Sequence, residues 1–116
     1  MSLIDSTHTN LLEKMMDVYT LRNKITAANV ANIDTPGYNK ASVKFEEQLA
    51  QKLESGQISS GAVKNMNPSI EVGDQKPILE DELMEMADTQ IRVQLATRAL
   101  RHNFDQIRSG ISGRTG

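Results

Sequence analysis

The chain has 116 residues, which is room for one domain. Its formal net charge is -2, so it lacks the basic excess of nucleic-acid-binding proteins. It contains no cysteine, which excludes disulfides and cysteine-ligated metals. Only 3% of the residues are aromatic and none is tryptophan, so few large side chains are available for a core. We expect either a small aliphatic bundle or a chain that buries part of its apolar surface against other proteins.

Residues 7–33 have the apolar periodicity of a long helix. The positions on one face are Leu11, Met15, Val18, Leu21, Ile25 and Ala28. Pro36 has no amide hydrogen and disfavours helix at Thr35, so the helix is predicted to end just before these residues. Capping residues are predicted near its start, at Asp5, Ser6 or Asn10.

The middle of the chain, residues 34–78, is polar and rich in turn-forming residues. Residues 43–53 are predicted either to form a short helix or to begin as an extended segment. Ile70 and Val72 suit a short strand, although the sequence shows no partner for it. Glycine, proline, asparagine and serine recur from 56 to 77, which predicts a mobile loop without regular structure.

Residues 79–111 are predicted to form the second long helix, because apolar positions follow an unbroken three–four alternation. Those positions are Leu83, Met86, Gln90, Val93, Thr97, Leu100, Phe104, Ile107 and Ile111. The polar members Gln90 and Thr97 either fix the register of a helix pair or face solvent where the stripe drifts. Gly110 and Gly113 are predicted to end the helix.

Charge is sorted along this second helix. Acidic side chains crowd its first turns and arginines follow in its second half, which matches the direction of the helix dipole. The arginine row also suits contact with acidic partners. The acidic cluster lacks the spacing of a calcium-binding loop, so we interpret it as a solvated helix start.

Catalytic motifs are missing from the pattern. His8 and His102 have no second ligand at helical spacing, and we interpret both as surface or packing residues. The segment from Asp34 to Gly37 is similar to the Asp-x-x-Gly switch of GTPases, but no phosphate-binding loop precedes it. We therefore predict no catalytic residue, no metal site and no cofactor.

The stretch from Ala28 to Tyr38 reads Ala-Asn-Val-Ala-Asn-Ile-Asp-Thr-Pro-Gly-Tyr. It resembles the N-terminal signature of the bacterial flagellar rod and hook family, roughly Ala-Asn-x-x-Asn-x-x-Thr-Pro-Gly-Tyr. Every fixed position matches: Ala28, Asn29, Asn32, Thr35, Pro36, Gly37 and Tyr38. The layout of the whole chain, with terminal helices around a variable middle, is also similar to that family.

Within the family, the chain resembles a proximal-rod subunit. Its length leaves no room for the large inserted domains of hook and distal-rod members. It also lacks the Ala-Tyr-x-Ala-Asn segment that other axial proteins carry near the C-terminus, and residues 83–92 look like the last helix of a proximal-rod subunit.

The resemblance implies a structural, non-enzymatic subunit of the basal-body proximal rod in the periplasm. Such subunits self-assemble through their terminal helices, transmit torque and line the export channel. The implied partners are other rod subunits, the rod-to-membrane-ring adaptor FliE and, in transit, the flagellar export apparatus. Export without a cleavable signal peptide agrees with an N-terminus that has no basic start and apolar stretch. Neither nucleic acid nor a small-molecule substrate is expected.

We predict a mainly α fold in a single domain, 1–116. The helices 7–33 and 79–111 are expected to pack as an antiparallel coiled-coil-like pair, and the irregular middle segment 34–78 to hold a short helix and short β elements. The predicted assembly seam comprises Leu11, Met15, Val18, Leu21, Ile25, Leu83, Met86, Val93, Leu100, Phe104 and Ile107. The alternative function is a helical adaptor or regulatory module that binds a partner helix.

Overall fold

The computed structural model describes residues 2–56 and 59–115. Within this part of the chain the elements follow in the order α1 (Ser2–Ala31), β1 (Ala41–Lys44), α2 (Glu46–Glu54), α3 (Ser60–Asn65), β2 (Ser69–Val72) and α4 (Leu79–Thr115). The predictions of a mainly helical fold and of long N- and C-terminal helices are confirmed. No helix of the described ranges is long and apolar enough to cross a membrane.

The molecule is elongated, with extents of 64 × 29 × 16 Å. Its radius of gyration is 17.8 Å, whereas a compact domain of this length has about 13 Å. Its accessible surface is 7960 Å², whereas a compact protein of 12.9 kDa exposes about 6300 Å². The excess, about 1,700 Å², is roughly twice the area that one partner buries in a standard protein interface.

The helices α1 and α4 lie side by side. Asn29, near the end of α1, donates to Glu82 at the start of α4 with 2.6 Å between Nδ2 and Oε1. Towards the start of α1, the Sδ atom of Met16 lies 4.0 Å from the hydroxyl of Thr97. Positions that descend along α1 therefore meet positions that ascend along α4, which is the order expected of an antiparallel pair.

The apolar core lies between α1 and the middle segment. Its buried residues are Val18, Val43, Phe45 and Met66, with Met15, Leu21, Ile25 and Leu49 packed around them. Val43 and Phe45 both point inward because side chains alternate between the two faces along an extended chain, and Lys44 between them is exposed. The middle segment and α1 thus each supply half of this core.

The two strands form an antiparallel sheet in which Ala41 lies opposite Val72 and Lys44 lies opposite Ser69. The prediction that 56–77 is a loop without regular structure is wrong for the described residues, since this range holds α3 and β2. The Ser59 hydroxyl caps α3 by accepting a hydrogen bond from the amide of Ala62 at 3.2 Å.

Both long helices have bounds that differ from those predicted. α1 begins at Ser2 and ends at Ala31, ahead of Pro36. The candidate capping residues therefore lie inside the helix: Asp5, Ser6 and Asn10. α4 continues through both glycines predicted to end it. A glycine inside a helix costs about 1 kcal/mol relative to alanine, which weakens the helix without ending it.

Candidate functional site

The signature turn follows α1 directly. Backbone hydrogen bonds run from Asn32 to Ala28 at 3.0 Å, from Thr35 to Asn32 at 3.0 Å and from Tyr38 to Thr35 at 3.2 Å. Gly37 has φ +78°, in the left-handed region that glycine enters without steric cost. This conformation redirects the chain towards β1, six residues after the end of α1.

The side chain of Asn32 stabilises this turn. Its Nδ2 donates to the carbonyl of Ala28 at 2.8 Å, and its Oδ1 accepts from the hydroxyl of Thr35 at 3.1 Å. The carbonyl of Ala28 also accepts the backbone amide of Asn32, so the side chain adds a second hydrogen bond at the end of the helix. Asn32 and Thr35 therefore act locally, within the turn that contains them.

Asn29 joins three parts of the structure. It is only 1% exposed. Its Nδ2 donates to the carbonyl of Ala41 at 2.8 Å and to Oε1 of Glu82 at 2.6 Å. Its Oδ1 accepts from the amide of Ala41 at 3.1 Å and from the hydroxyl of Tyr38 at 3.3 Å. All four hydrogen-bonding positions of the amide are used, so one side chain connects α1, the strand β1 and the start of α4.

Side chains of α1 occupy the edge of β1 that lies opposite β2. Lys40 bonds to the β2 side through its backbone, at 2.9 Å from Gly73 and 2.8 Å from Gln75. The backbone groups of Ala41 face the other way and bond to Asn29. These contacts take the place of a third strand, and they cover an edge that would otherwise be open to pairing.

Arg22 covers the same edge about two helical turns before Asn29. Its Nη2 donates to the carbonyl of Val43 at 3.0 Å. Its Nη1 and Nη2 also donate to the two carboxylate oxygens of Glu46, at 2.7 and 2.9 Å. Its Nε lies 3.9 Å from Oε1 of Glu85 on α4. The hydrogen bonds with Arg22 lower the pKa of Glu46, against the smaller opposing effect of burial. This bidentate pair fixes α1 to the start of α2.

Glu82 is a buried carboxylate at the start of α4, and Lys40 balances its charge. The Nζ atom of Lys40 lies 2.9 Å from Oε2 of Glu82. The approach lacks the alignment of a hydrogen bond, so we treat the contact as an ion pair. This short polar contact raises the pKa of Lys40, and partial burial opposes the rise. A buried carboxylate is costly without such partners, so Glu82 depends on both Lys40 and Asn29.

These side chains line a groove of about 520 Å³ between α1, β1 and the first turns of α4. Its charged residues balance, four of each sign: Arg22, Lys40, Lys44, Arg92, Glu46, Glu82, Glu85 and Asp88. Among the described residues, no group of histidine, cysteine or acidic side chains is arranged to hold a metal ion. Most of the buried polar groups form hydrogen bonds or ion pairs with one another. This arrangement suits a rigid joint between structural elements.

The packed face of α4 is offset from the predicted seam. Of the predicted positions, Met86, Val93 and Leu100 are half-buried, whereas Leu83, Phe104 and Ile107 are exposed. The buried residues are Glu82, Thr89 and Ala96, each one residue before a position of the predicted alternation. Of the polar seam positions, Gln90 is exposed and Thr97 is half-buried. On α1, Val18 is buried and the others are half-buried: Leu11, Met15, Leu21 and Ile25.

A family model matches the α1 part of this joint. The family model described as flagella basal body rod protein matches residues 21–39, which span the second half of α1 and the signature turn. By this match the chain is similar to flagellar basal-body rod proteins. The resemblance predicted from the sequence is confirmed.

The chain is also similar to proteins named FlgB. A FlgB from Borrelia hermsii is 35% identical over 75 residues, which cover 59% of this chain and 56% of that protein. A FlgB from Proteus mirabilis is 37% identical over 54 residues, or 44% of this chain and 39% of that one. The Salmonella typhimurium FlgB is 33% identical over 51 residues, or 44% and 37%. The chain therefore spans between 37% and 56% of the length of these relatives.

The signature turn should be sensitive to the residue at position 37, because Gly37 has a positive φ. Gly37→Val is expected to destabilise the fold by at least about 1–2 kcal/mol, because a β-branched residue is strained in the left-handed region. Added atoms meet no neighbour there, so the backbone alone sets the cost. Gly37→Asn is the matched control, since asparagine tolerates this conformation. Equal urea midpoints for the two variants would show that the turn does not require the left-handed conformation at position 37.

The Arg22–Glu46 pair should make stability depend on pH. The lowered pKa of Glu46 contributes stability that is complete above its unfolded value, about 4.3, and is lost as pH falls through the folded value. The free energy of unfolding therefore falls at acid pH, and we call this fall the acid limb. Glu46→Gln should reduce it in urea unfolding followed at a series of pH values. Glu47→Gln, at the exposed neighbouring position, is the control and should leave the limb as in the wild type. Identical limbs for both variants would exclude the pair as its source.

Proposed function

We propose that the chain is a structural subunit of the flagellar proximal rod, assembling with its neighbours through α1 and α4 as an antiparallel coiled-coil-like pair. The main support is apolar surface that its own fold leaves uncovered. On α4 the exposed apolar side chains include Leu83, Met84, Ile91, Leu95, Phe104 and Ile107, between 38% and 71% exposed. Apolar exposure on this scale along one helix is typical of a surface that other proteins cover.

The offset seam supports the same proposal. The α1–α4 contact uses the acidic Glu82, the polar Thr89 and the small Ala96, while larger apolar residues beside them stay exposed. The hydroxyl of Thr89 has no hydrogen-bond partner in this contact. A pair with such a polar seam gains little from its own burial, so neighbouring subunits have apolar surface left to cover.

The polar joint suits a part that carries load. Asn29 and Arg22 connect α1 to β1, α2 and α4 through hydrogen bonds that use several atoms of each side chain. Directional bonds of this kind fix orientation as well as distance. In a torque-transmitting rod, such a joint would keep the outgoing segment at a fixed angle to the inner helices, around the channel through which later subunits are exported.

The proposed partners are other rod subunits and the membrane-ring adaptor FliE, with the export apparatus as a partner in transit. The proposed location is the periplasmic rod of the basal body, reached without a cleavable signal peptide. The alternative, a helical adaptor that binds one partner helix, predicts a saturable one-to-one complex with a non-flagellar protein.

Complementation of a strain lacking the corresponding rod gene tests the proposal. Phe104→Asp is expected to abolish rod assembly and swimming, because it places a charge in the exposed apolar surface of α4. Phe104 is exposed, so the isolated variant should fold as the wild type does. A strain that carries Gln106→Asp, a change at an exposed polar residue two positions away, should swim normally. Normal swimming with Phe104→Asp would contradict the role of this surface.

A further inference from the structure

The side of α4 that faces away from α1 carries a second apolar stripe. Met84, Ile91 and Leu95 are spaced seven and four residues apart, which puts them on one helix face about 16 Å long. All three are more than half exposed, and Met84 reaches 71%. They lie roughly opposite the packed positions of α4 and outside the predicted seam. We call these residues, with Arg98 one turn further on, the outer α4 face.

The exposed side of α1 has the complementary shape. Ala27 and Ala31 lie one turn apart on this helix, and both are exposed. Small side chains let another helix approach closely, so larger residues of that helix can pack over them. Towards the start of α1 the same side presents the exposed charges Glu13, Asp17 and Lys24. We call these five residues the outer α1 face.

The order of charges is the same along the two faces, acidic before basic, and this shared order selects one direction. Along the outer α1 face, two acidic residues precede a lysine. Along α4, Asp88 precedes Arg98 and Arg101. Opposite charges therefore meet if the helices run antiparallel, and like charges meet if they run parallel. Within the described part of the chain, these residues form no ion pair: Glu13, Asp17, Lys24, Arg98 and Arg101. Asp88 pairs with Arg92 on its own helix at 2.9 Å, at an exposed position where a second cation can also approach.

We propose that the outer α4 face of one molecule docks antiparallel on the outer α1 face of a second copy of this chain. A single register brings Ala27 opposite Met84, Glu13 opposite Arg98 and Lys24 opposite Asp88. The same register relates α1 to α4 within one chain, where Asn29 meets Glu82 and Met16 meets Thr97. One geometric rule thus describes both the internal and the external helix pair.

The contact is heterologous, because it joins two different faces. Each molecule exposes both faces at once, so the contact can repeat from copy to copy without closing. The molecule also exposes about 1,700 Å² more than a compact protein of its mass, close to the area that two such contacts would cover. The inference rests on the proposed rod function, and it names the face through which sister subunits meet.

Disulfide trapping tests the docking directly, since the chain has no cysteine of its own. The Ala27→Cys/Met84→Cys variant is expected to give a ladder of covalent oligomers under mild oxidation, because the register brings these positions within disulfide reach in neighbouring copies. Glu13→Cys/Met84→Cys is the matched control, with one cysteine moved about 20 Å along α1. A ladder no stronger than that of the control would overturn the proposal.

A further substitution tests whether the stripe drives the contact. Ile91→Asp, added to the Ala27→Cys/Met84→Cys variant, is expected to reduce the ladder about tenfold or more by placing a charge in the contact. Glu13→Arg should weaken the ladder, and Arg98→Glu added to it should restore it. Circular dichroism of the reduced proteins checks that all variants fold. An unchanged ladder with Ile91→Asp would contradict the proposal.

The two proposals fail separately. If the ladder is absent while Phe104→Asp still abolishes rod assembly, the docking between these faces is wrong and the rod function stands. If the wild-type chain fails to restore swimming in the deletion strain, the rod function itself is wrong.

Discussion

Replacing Phe45 by alanine is expected to lower the free energy of unfolding by about 3–5 kcal/mol. Phe45 is fully buried and packs with Val18, Val43 and Met66 in the core between α1 and the middle segment. Its removal leaves a cavity that the strand and helices around it can fill only in part. Domains of this size are stable by about 5–15 kcal/mol, so this single change removes a large share of the total.

The other phenylalanine of the chain provides the control. Phe104 is 56% exposed on α4, so Phe104→Ala is expected to change the free energy of unfolding by less than about 1 kcal/mol. Urea unfolding followed by circular dichroism measures both values, with an unchanged slope as the sign that the unfolding reaction is the same. Similar losses for the two variants would contradict the placement of the core.

Replacing Asn29 by alanine is expected to cost about 3 kcal/mol or more, since each buried polar group left without a partner costs about 1–3 kcal/mol. The change removes both bonds to the backbone of Ala41 and the donor to Glu82. Glu82 would then keep a buried carboxylate with Lys40 as its remaining charged partner. The loss is larger than for an ordinary hydrogen bond because several groups lose their partner at once.

Asn23 offers the same chemistry without the contacts. It lies on the same helix and is exposed, so Asn23→Ala is expected to be neutral within about 0.5 kcal/mol. Thermal and urea unfolding of the two variants side by side isolate the joint from the helix propensity of asparagine. If Asn29→Ala unfolds at the same urea concentration as Asn23→Ala, the network does not hold α1, β1 and α4 together.

The sequence was sufficient for the long helices and the turn, but the helix contact within the chain lies beside the predicted seam. The apolar alternation through Leu83 and Phe104 predicts a seam there, whereas Glu82, Thr89 and Ala96 are the buried positions. Periodicity assumes that the packed face is the most apolar one. A buried carboxylate at Glu82 breaks that assumption, because its partners come from elements distant in sequence.

The middle segment shows the same limit. Ile70 and Val72 have a strand-like pattern, but their partner strand β1 lies beyond α2 and α3 in sequence, so local patterning cannot reveal it. The signature itself was recognisable, and Asn29 was among its predicted residues. Its contacts with Ala41 and Glu82 lie outside the signature, and Arg22, which precedes it, gave no signal. An arginine inside an amphipathic helix is ordinarily an exposed residue.

Hydrogen exchange, compared between the isolated chain and assembled rods, tests most directly whether neighbouring subunits complete this fold. In the isolated chain we expect protection at the joint around Asn29 and in the core around Phe45, with fast exchange in the second half of α4, where few apolar contacts are buried. In rods, the whole of α4 should become protected. Full protection of α4 in the isolated chain, unchanged on assembly, would contradict the account.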